Sequence, residues 1–147
     1  MNSILKTILI GVIFYFTTQA WAHDGKATLV MEEMIKIHEA LVKETSGKID
    51  TKTIIDLLSK GADGKKDIET FKKAIPLAEK LGKAENLQDK KNTYSQLVDV
   101  LASVVGHHDK SKANLFYCPM EKKKWIAKGD NIVNPYLRDM RDCGEKQ

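Results

Sequence analysis

Cysteine and aromatic residues are scarce in this chain, and their scarcity limits the functions it can have. Only two of the 147 residues are cysteines, so at most one internal disulfide can form. Aromatic residues make up 7% of the chain and do not alternate with the lysines, as a surface that stacks nucleic-acid bases would require. The 24 basic and 20 acidic side chains nearly balance. We therefore expect no nucleic-acid partner.

Long apolar runs are also missing, apart from one at the N-terminus. Residues 1–22 contain Lys6, an apolar run over residues 8–16 and then Ala20-Trp21-Ala22, which is the pattern of a secretory signal peptide. The run is shorter than the roughly 20 residues that span a bilayer. No cysteine directly follows the predicted cleavage site to carry a lipid anchor. We expect export, cleavage after Ala22, a mature chain that begins at His23 and no membrane span in it.

Apolar side chains recur every three or four residues in four stretches, which is the spacing of amphipathic helices. The predicted helices cover residues 26–46, 51–60, 67–81 and 86–106. Pro76 lies inside the third stretch, where it predicts a kink or an early break. No stretch shows a convincing strand alternation. The sequence therefore predicts one all-α domain over residues 23–147, in which residues 23–112 form an up-and-down four-helix bundle.

Residues 113–147 form the remaining segment, which is predicted to be irregular apart from a short helix. Asn134 is a favourable helix N-cap, and Pro135 suits the first helical position. Gly144 suits the left-handed residue that ends a helix. A helix over residues 135–143 is therefore expected.

This segment also contains both cysteines, each close in sequence to a methionine. Cys118 and Met120 are two residues apart and would share a side of an extended chain. Met140 and Cys143 are three apart and would share a face of the predicted short helix. Two sulfur pairs would then face each other if the intervening chain folds back.

The histidines fall into two groups. His38 lies on the apolar stripe of the first helix, where a packed and hydrogen-bonded core residue is expected. His107 and His108 end the fourth helix, where they could serve as metal ligands or simply interact with the helix dipole. The bundle topology would gather them with His23 and the approach to Cys118 at one pole. His23 would carry both an α-amine and an imidazole after cleavage, so a nitrogen-rich Cu(II) site could form there. The alternative is that His23 is an N-terminal surface residue without a ligand role.

The C-terminal motif resembles a known bacterial domain family of unknown function. It consists of Tyr117-Cys118-Pro119-Met120, Trp125, Ile132 with Asn134-Pro135-Tyr136, and Met140 with Cys143-Gly144-Glu145. That family occurs alone or attached to periplasmic adaptor subunits of copper and silver efflux pumps. The resemblance implies a helical periplasmic protein that binds copper or silver without catalysis, with an efflux-pump component as a partner.

Two roles for the cysteines remain open at this point. Thiolates and thioethers favour Cu(I) and Ag(I), whereas a zinc site normally needs four firm ligands. Alternatively, a Cys118–Cys143 disulfide could close a loop of about 25 residues and contribute roughly 3 to 4 kcal/mol to a structural or partner-binding bundle without a metal role. The spacing alone favours the disulfide, and the resemblance favours the metal.

Catalysis is not expected from this sequence. Cys118 with His107 or His108 could suggest a nucleophile and its base. A working thiolate also needs an orienting third group and an oxyanion site, and the spacing identifies neither. The chain is therefore predicted not to be an enzyme.

Overall fold

A computed structural model describes residues 25–147 and arranges them as four helices followed by a small sheet. The helices are α1 (Lys26–Val42), α2 (Lys52–Ser59), α3 (Lys65–Lys83) and α4 (Leu87–Leu101), which continues into a 3-10 turn over Ala102–Val104. The strands are β1 (Ala113–Cys118), β2 (Lys123–Lys128) and β3 (Glu145–Lys146). They form one antiparallel sheet in the order β2-β1-β3. The predicted all-α bundle is therefore wrong, and the fold is mixed α/β.

The sheet was not predicted from the sequence, because its second strand is buried on both faces. Trp125, Ile126 and Ala127 are consecutive and all fully buried, so β2 shows no alternation of apolar and polar residues. The strand contacts α1 and α4, and Trp125 packs on Tyr136 of the C-terminal segment with ring centroids 6.3 Å apart. Burial from two sides thus removes the pattern that identifies a half-buried strand.

The four predicted helices are present, and each buries an apolar face. α3 packs on both α2 and α4, while α1 packs on α2 and β2. Pro76 does not break α3, which runs without interruption from Lys65 to Lys83. Asn86 caps the start of α4, since its side chain accepts a hydrogen bond from the Asp89 N–H at 2.8 Å. No helix within residues 25–147 is long and apolar enough to cross a membrane.

Two tyrosine hydroxyls form hydrogen bonds with backbone groups at the outer edge of β2. The Tyr94 hydroxyl donates to the Ile126 carbonyl at 3.2 Å and accepts from the Ile126 N–H at 3.1 Å. The Tyr136 hydroxyl donates to the carbonyl of Lys124. Burial raises the pKa of Tyr94, so this hydroxyl stays protonated and remains a donor. The strand edge is therefore closed to further strand pairing.

His38 lies in the core, as its place on the apolar stripe predicted. It is only 2% exposed, and its Nε2 donates to the carbonyl of Val133 at 2.7 Å. Burial lowers the pKa of His38, because the charged imidazolium loses hydration inside the protein. This contact links α1 to the chain that follows the antiparallel pair β1 and β2.

The lowered pKa of His38 predicts that the protein loses stability in mild acid. The unfolded chain binds a proton on this imidazole below its ordinary pKa of about 6.5, whereas the folded chain resists protonation to lower pH. The free energy of unfolding should therefore fall as the pH drops below about 6.5, by at most about 1.4 kcal/mol per pH unit from this group.

Urea unfolding of the parent and of His38→Gln from pH 7.5 to pH 5 would measure this effect. The glutamine amide can still donate to Val133 but does not titrate, so its stability should depend less on pH. An equal pH dependence in the two proteins would contradict the prediction.

Candidate metal-binding site

The chain after β2 forms an irregular loop, and the predicted helix over residues 135–143 is wrong. The Asn134 side chain does accept from the N–H groups of Tyr136 and Leu137, at 2.8 and 3.3 Å, much as a helix cap would. However, the Asn134 N–H donates to the Arg141 carbonyl at 2.7 Å. That bond requires the chain to fold back on itself, which a helix does not allow. We call residues 131–144 the C-terminal loop.

Side chains from α1 and α4 hold the C-terminal loop in place. His38 donates to the Val133 carbonyl, and the Lys91 Nζ donates to the Tyr136 carbonyl at 3.4 Å. From the loop itself, the Arg141 Nη2 donates to the Val42 carbonyl at the end of α1, at 3.2 Å. Three charged or polar groups therefore attach the loop to two helices independently of the cysteines.

Gly144 ends the loop against the indole of Trp125. It does not have the positive φ of the predicted helix stop. A Cβ at this position would lie 2.2 Å from Cη2 of Trp125, so the loop approaches the indole more closely than any other residue would allow. The indole in turn stacks on Phe116, with centroids 5.6 Å apart. This close approach fixes the residue next to Cys143.

The fold brings the two cysteines together. Cys118 is buried at the end of β1, and Cys143 is half-buried near the end of the C-terminal loop. Their Sγ atoms lie 3.0 Å apart, and both are free thiols. A 25-residue separation in sequence thus becomes a direct sulfur–sulfur contact.

The 3.0 Å separation lies between the geometries of a disulfide and of a metal chelate. A disulfide needs about 2.05 Å between the sulfurs. A metal with bonds of about 2.3 Å to each sulfur needs about 3.8 Å for a tetrahedral angle and about 4.6 Å for the linear arrangement of a two-coordinate ion. The sulfurs would have to approach by about 1 Å for a disulfide, or separate by about 0.8 to 1.6 Å for a metal. Because Cys143 is in the loop and Cys118 is in a strand, we expect Cys143 to make this movement.

The surroundings of the pair favour a thiolate at Cys118. Burial raises the pKa of this thiol, but hydrogen bonds from the Cys143 thiol and from the N–H groups of Glu121 and Met120 outweigh burial, and the net pKa is lowered. The Glu121 N–H lies 3.5 Å from the Cys118 Sγ. Hydrogen bonding with Cys118 raises the pKa of Cys143. The first proton is therefore lost from Cys118, and a thiolate is the form that binds soft metals.

Each predicted methionine ligand lies within three residues of a cysteine. Met120 is in the β1–β2 turn, two residues after Cys118. The Met140 carbonyl accepts from the Cys143 N–H at 3.2 Å. Met120 is 65% exposed and Met140 is 37% exposed, and within residues 25–147 they are the exposed large apolar side chains. Both methionine side chains are thus accessible to solvent and close in sequence to the thiols.

The histidines lie away from the sulfur pair. His107 follows α4, with its Nδ1 3.4 Å from Oδ2 of Asp67. The His108 ring packs edge-on against it at 4.4 Å. The structure therefore brings these two predicted ligands to each other and to the start of α3.

The sulfur pair is at the opposite end of α4. Lys123, which pairs with Cys118 across the hairpin, donates to Asn92 in the second turn of that helix. From Asn92 to Leu101 the helix rises about 14 Å, and the histidines come later still. The reason is that β1 starts near the histidines and runs away from them before it reaches Cys118. His23, the remaining predicted ligand, lies outside the described residues.

The central role of Asn134 was not predicted from the sequence. We interpreted it as a helix cap, whereas its side chain and backbone together fold the C-terminal loop. The Asn134-Pro135 dipeptide was the available signal, because Asn-Pro often marks a turn. The roles of Arg141 and Trp125 depend on contacts across the fold and had no comparable signal.

The thiol pair is not part of a larger group of histidine or carboxylate ligands. Among residues 25–147, no group of three or more histidine, cysteine, aspartate or glutamate side chains is placed to hold a metal ion. Two thiols in contact instead suit a soft ion that accepts few ligands. Comparison of the chain with protein-family models, with curated proteins and with solved structures found no match.

Proposed function

We propose that this protein binds Cu(I) or Ag(I) through the thiol pair Cys118 and Cys143, assisted by Met120 and Met140. The observation that carries the proposal is the 3.0 Å separation of the two sulfurs. Soft thiolate and thioether donors favour these ions over zinc, calcium or magnesium. The lowered pKa of Cys118 favours its thiolate form, and the half-buried Cys143 leaves a path from solvent to the pair.

The main alternative is a structural disulfide between the same two residues. The 3.0 Å separation is compatible with it, and export would expose the pair to an oxidising compartment. The helices, however, already hold the C-terminal loop through His38, Lys91 and Arg141. A loop that is attached in this way does not need a disulfide to stay closed, which favours a chemical role for the thiols.

Binding fits this site better than catalysis. Within the described part of the chain, no histidine is placed to activate Cys118: His38 is bonded to Val133, and His107 lies beside Asp67. A nucleophilic thiol enzyme would need such a base. We therefore propose that the site holds a metal ion and carries out no reaction on it.

We further propose that the protein works in the periplasm in copper or silver efflux or homeostasis, with an efflux-pump component as its partner. The signal-peptide pattern of residues 1–22 supports export, and the resemblance of the C-terminal motif supports the link to efflux. Both features lie in the sequence and can be examined separately from metal binding.

Metal titration of the reduced and the oxidised protein tests the proposal. The reduced protein should bind one equivalent of Cu(I) in competition with a chromophoric Cu(I) chelator, and one of Ag(I). Oxidation to the disulfide should remove most of this affinity, because the thiolates are consumed. Trp125, which would be the only tryptophan left after signal cleavage, offers a fluorescence signal next to the site.

A His107→Gln/His108→Gln variant is the matched control. Its Cu(I) affinity should equal that of the parent, because both rings lie at the far end of α4 from the sulfurs. Equal binding by the reduced and oxidised parent, or a large loss in the histidine variant, would contradict the assignment of the metal to the thiol pair.

A further inference from the structure

Asn134 makes more polar contacts than any other residue of the C-terminal loop, and it is completely buried. Its Oδ1 accepts from the N–H groups of Tyr136 and Leu137 at the start of the loop. Its Nδ2 donates to the Cys143 carbonyl at 2.7 Å, at the end of the loop. One amide therefore bridges the two arms of the loop.

The backbone of Asn134 strengthens the same bridge. Its N–H donates to the Arg141 carbonyl at 2.7 Å, and its carbonyl accepts from the Arg141 Nη1 at 2.9 Å. Val133, the preceding residue, is bonded to His38 of α1. The arm that contains Asn134 is thus fixed to the helices, and its amide extends from this fixed arm to the residue that carries the second thiol.

We propose that Asn134 is the positioning residue of the thiol pair, because it holds Cys143 against Cys118 in the reduced protein before either a metal or a disulfide joins the sulfurs. The effect that we predict on metal affinity rests on the proposed function. The effect that we predict on disulfide formation between the two thiols does not. The proposal predicts a preorganised pair whose two sulfurs meet at high effective concentration.

The physical basis is the cost of ordering a loop. If the amide bridge were absent, Cys143 would be held only from its C-terminal side, by Gly144 against Trp125 and by the pairing of β3 with β1. Eight residues of irregular chain would separate it from Asn134, so it would sample more positions than in the bridged loop. Fixing the loop in advance removes that entropic cost from any step that needs both sulfurs at once. Disulfide formation and two-thiolate metal binding both need them, so both should weaken together when the bridge is lost.

The test uses the equilibrium between the protein and glutathione, which involves no metal. The dithiol reduces one glutathione disulfide to two glutathione thiols and becomes the Cys118–Cys143 disulfide, so two electrons and two protons are transferred. Asn134→Asp keeps an oxygen that can accept from Tyr136 and Leu137 but replaces the donor to Cys143 with a second acceptor. We expect its equilibrium constant for disulfide formation to fall about tenfold or more, which is a rise of about 30 mV in the reduction potential.

Two controls separate positioning from general loss of stability. Asn131→Asp adds the same charge to an exposed position of the same loop and should leave the equilibrium constant unchanged. Leu58→Ala removes a buried side chain from α2, which packs on α1 and α3, so it should lower the melting temperature without changing the constant.

The outcomes are distinguishable. The proposal is overturned if the constant of Asn134→Asp stays within about twofold of the parent's, or if Leu58→Ala lowers it equally. Asn134→Ser, whose hydroxyl can still accept from Tyr136, replaces the aspartate variant if that does not fold. Failure of both to fold would show that Asn134 is needed for the fold itself and would also overturn the proposal. If the parent binds no Cu(I), the proposed function fails while the glutathione result stands.

Discussion

The double variant Cys118→Ser/Cys143→Ser is expected to lose Cu(I) affinity by more than about a hundredfold and to remain folded. Removing a residue that only supports a ligand typically costs about 10- to 100-fold in metal affinity, and here both thiolates are removed. The fold should survive because His38, Lys91 and Arg141 hold the C-terminal loop without the sulfurs. We expect a destabilisation of about 1 to 2 kcal/mol, mainly from placing a hydroxyl at the buried position 118.

The comparison must be made with the reduced parent, in competition with a Cu(I) chelator and by thermal unfolding followed by circular dichroism. If the variant keeps the Cu(I) affinity of the parent, the thiol pair is not the metal site. If it fails to fold under conditions where the reduced parent is folded, the cysteines have a structural role beyond the disulfide. In the loop-entropy model, a disulfide over the 25-residue separation would stabilise the oxidised parent by about 3.5 kcal/mol. The oxidised parent therefore gives the scale for a purely structural role.

Gly144→Ala is expected to lower the free energy of unfolding by about 2 to 3 kcal/mol and to weaken metal binding. The added methyl group would lie 2.2 Å from Cη2 of Trp125, so either the indole or the loop must move. The indole is fully buried and stacked on Phe116, so we expect the loop, with Cys143, to be displaced. Urea unfolding followed by Trp125 fluorescence, together with the Cu(I) competition assay, measures both effects.

Gly47→Ala is the matched control for this substitution. Among the described residues, no heavy atom other than those of Gly47 and its two chain neighbours lies within 4 Å of a Cβ at Gly47, and its φ is not positive. The change should be neutral or slightly stabilising, because alanine restricts the unfolded chain more than glycine does. If Gly144→Ala were as neutral as this control, the close packing of the loop on Trp125 would not be a constraint on the site.

The helical part of the fold was predictable from local pattern. The apolar spacing of α1 to α4 depends on the periodicity of a single helix, and Asn86 caps α4 with its own neighbours. The helices therefore appear in the predicted order, although Pro76 does not break α3. These features need no information about distant parts of the chain.

The C-terminal segment was not predictable in this way, because its conformation depends on contacts across the molecule. Asn134, Pro135 and Gly144 satisfy the local rules for a helix and its ends. In the fold, the bond from the Asn134 N–H to Arg141 and the attachment of Arg141 to Val42 outweigh those preferences. Gly144 is needed for its lack of a side chain against Trp125 and not for a left-handed backbone.

The candidate site likewise has features that the sequence determines and features that depend on tertiary contacts. The sequence by itself determined which soft ligands are available, namely Cys118, Met120, Met140 and Cys143, because ligand chemistry belongs to the residue type. Only the tertiary structure decided that the two thiols meet at 3.0 Å and that His107 and His108 lie at the other end of α4. The physical reason is that β1 and β3 pair along the sheet and carry Cys118 and Cys143 to the same end, and strand pairing joins residues whose sequence separation carries no local signal.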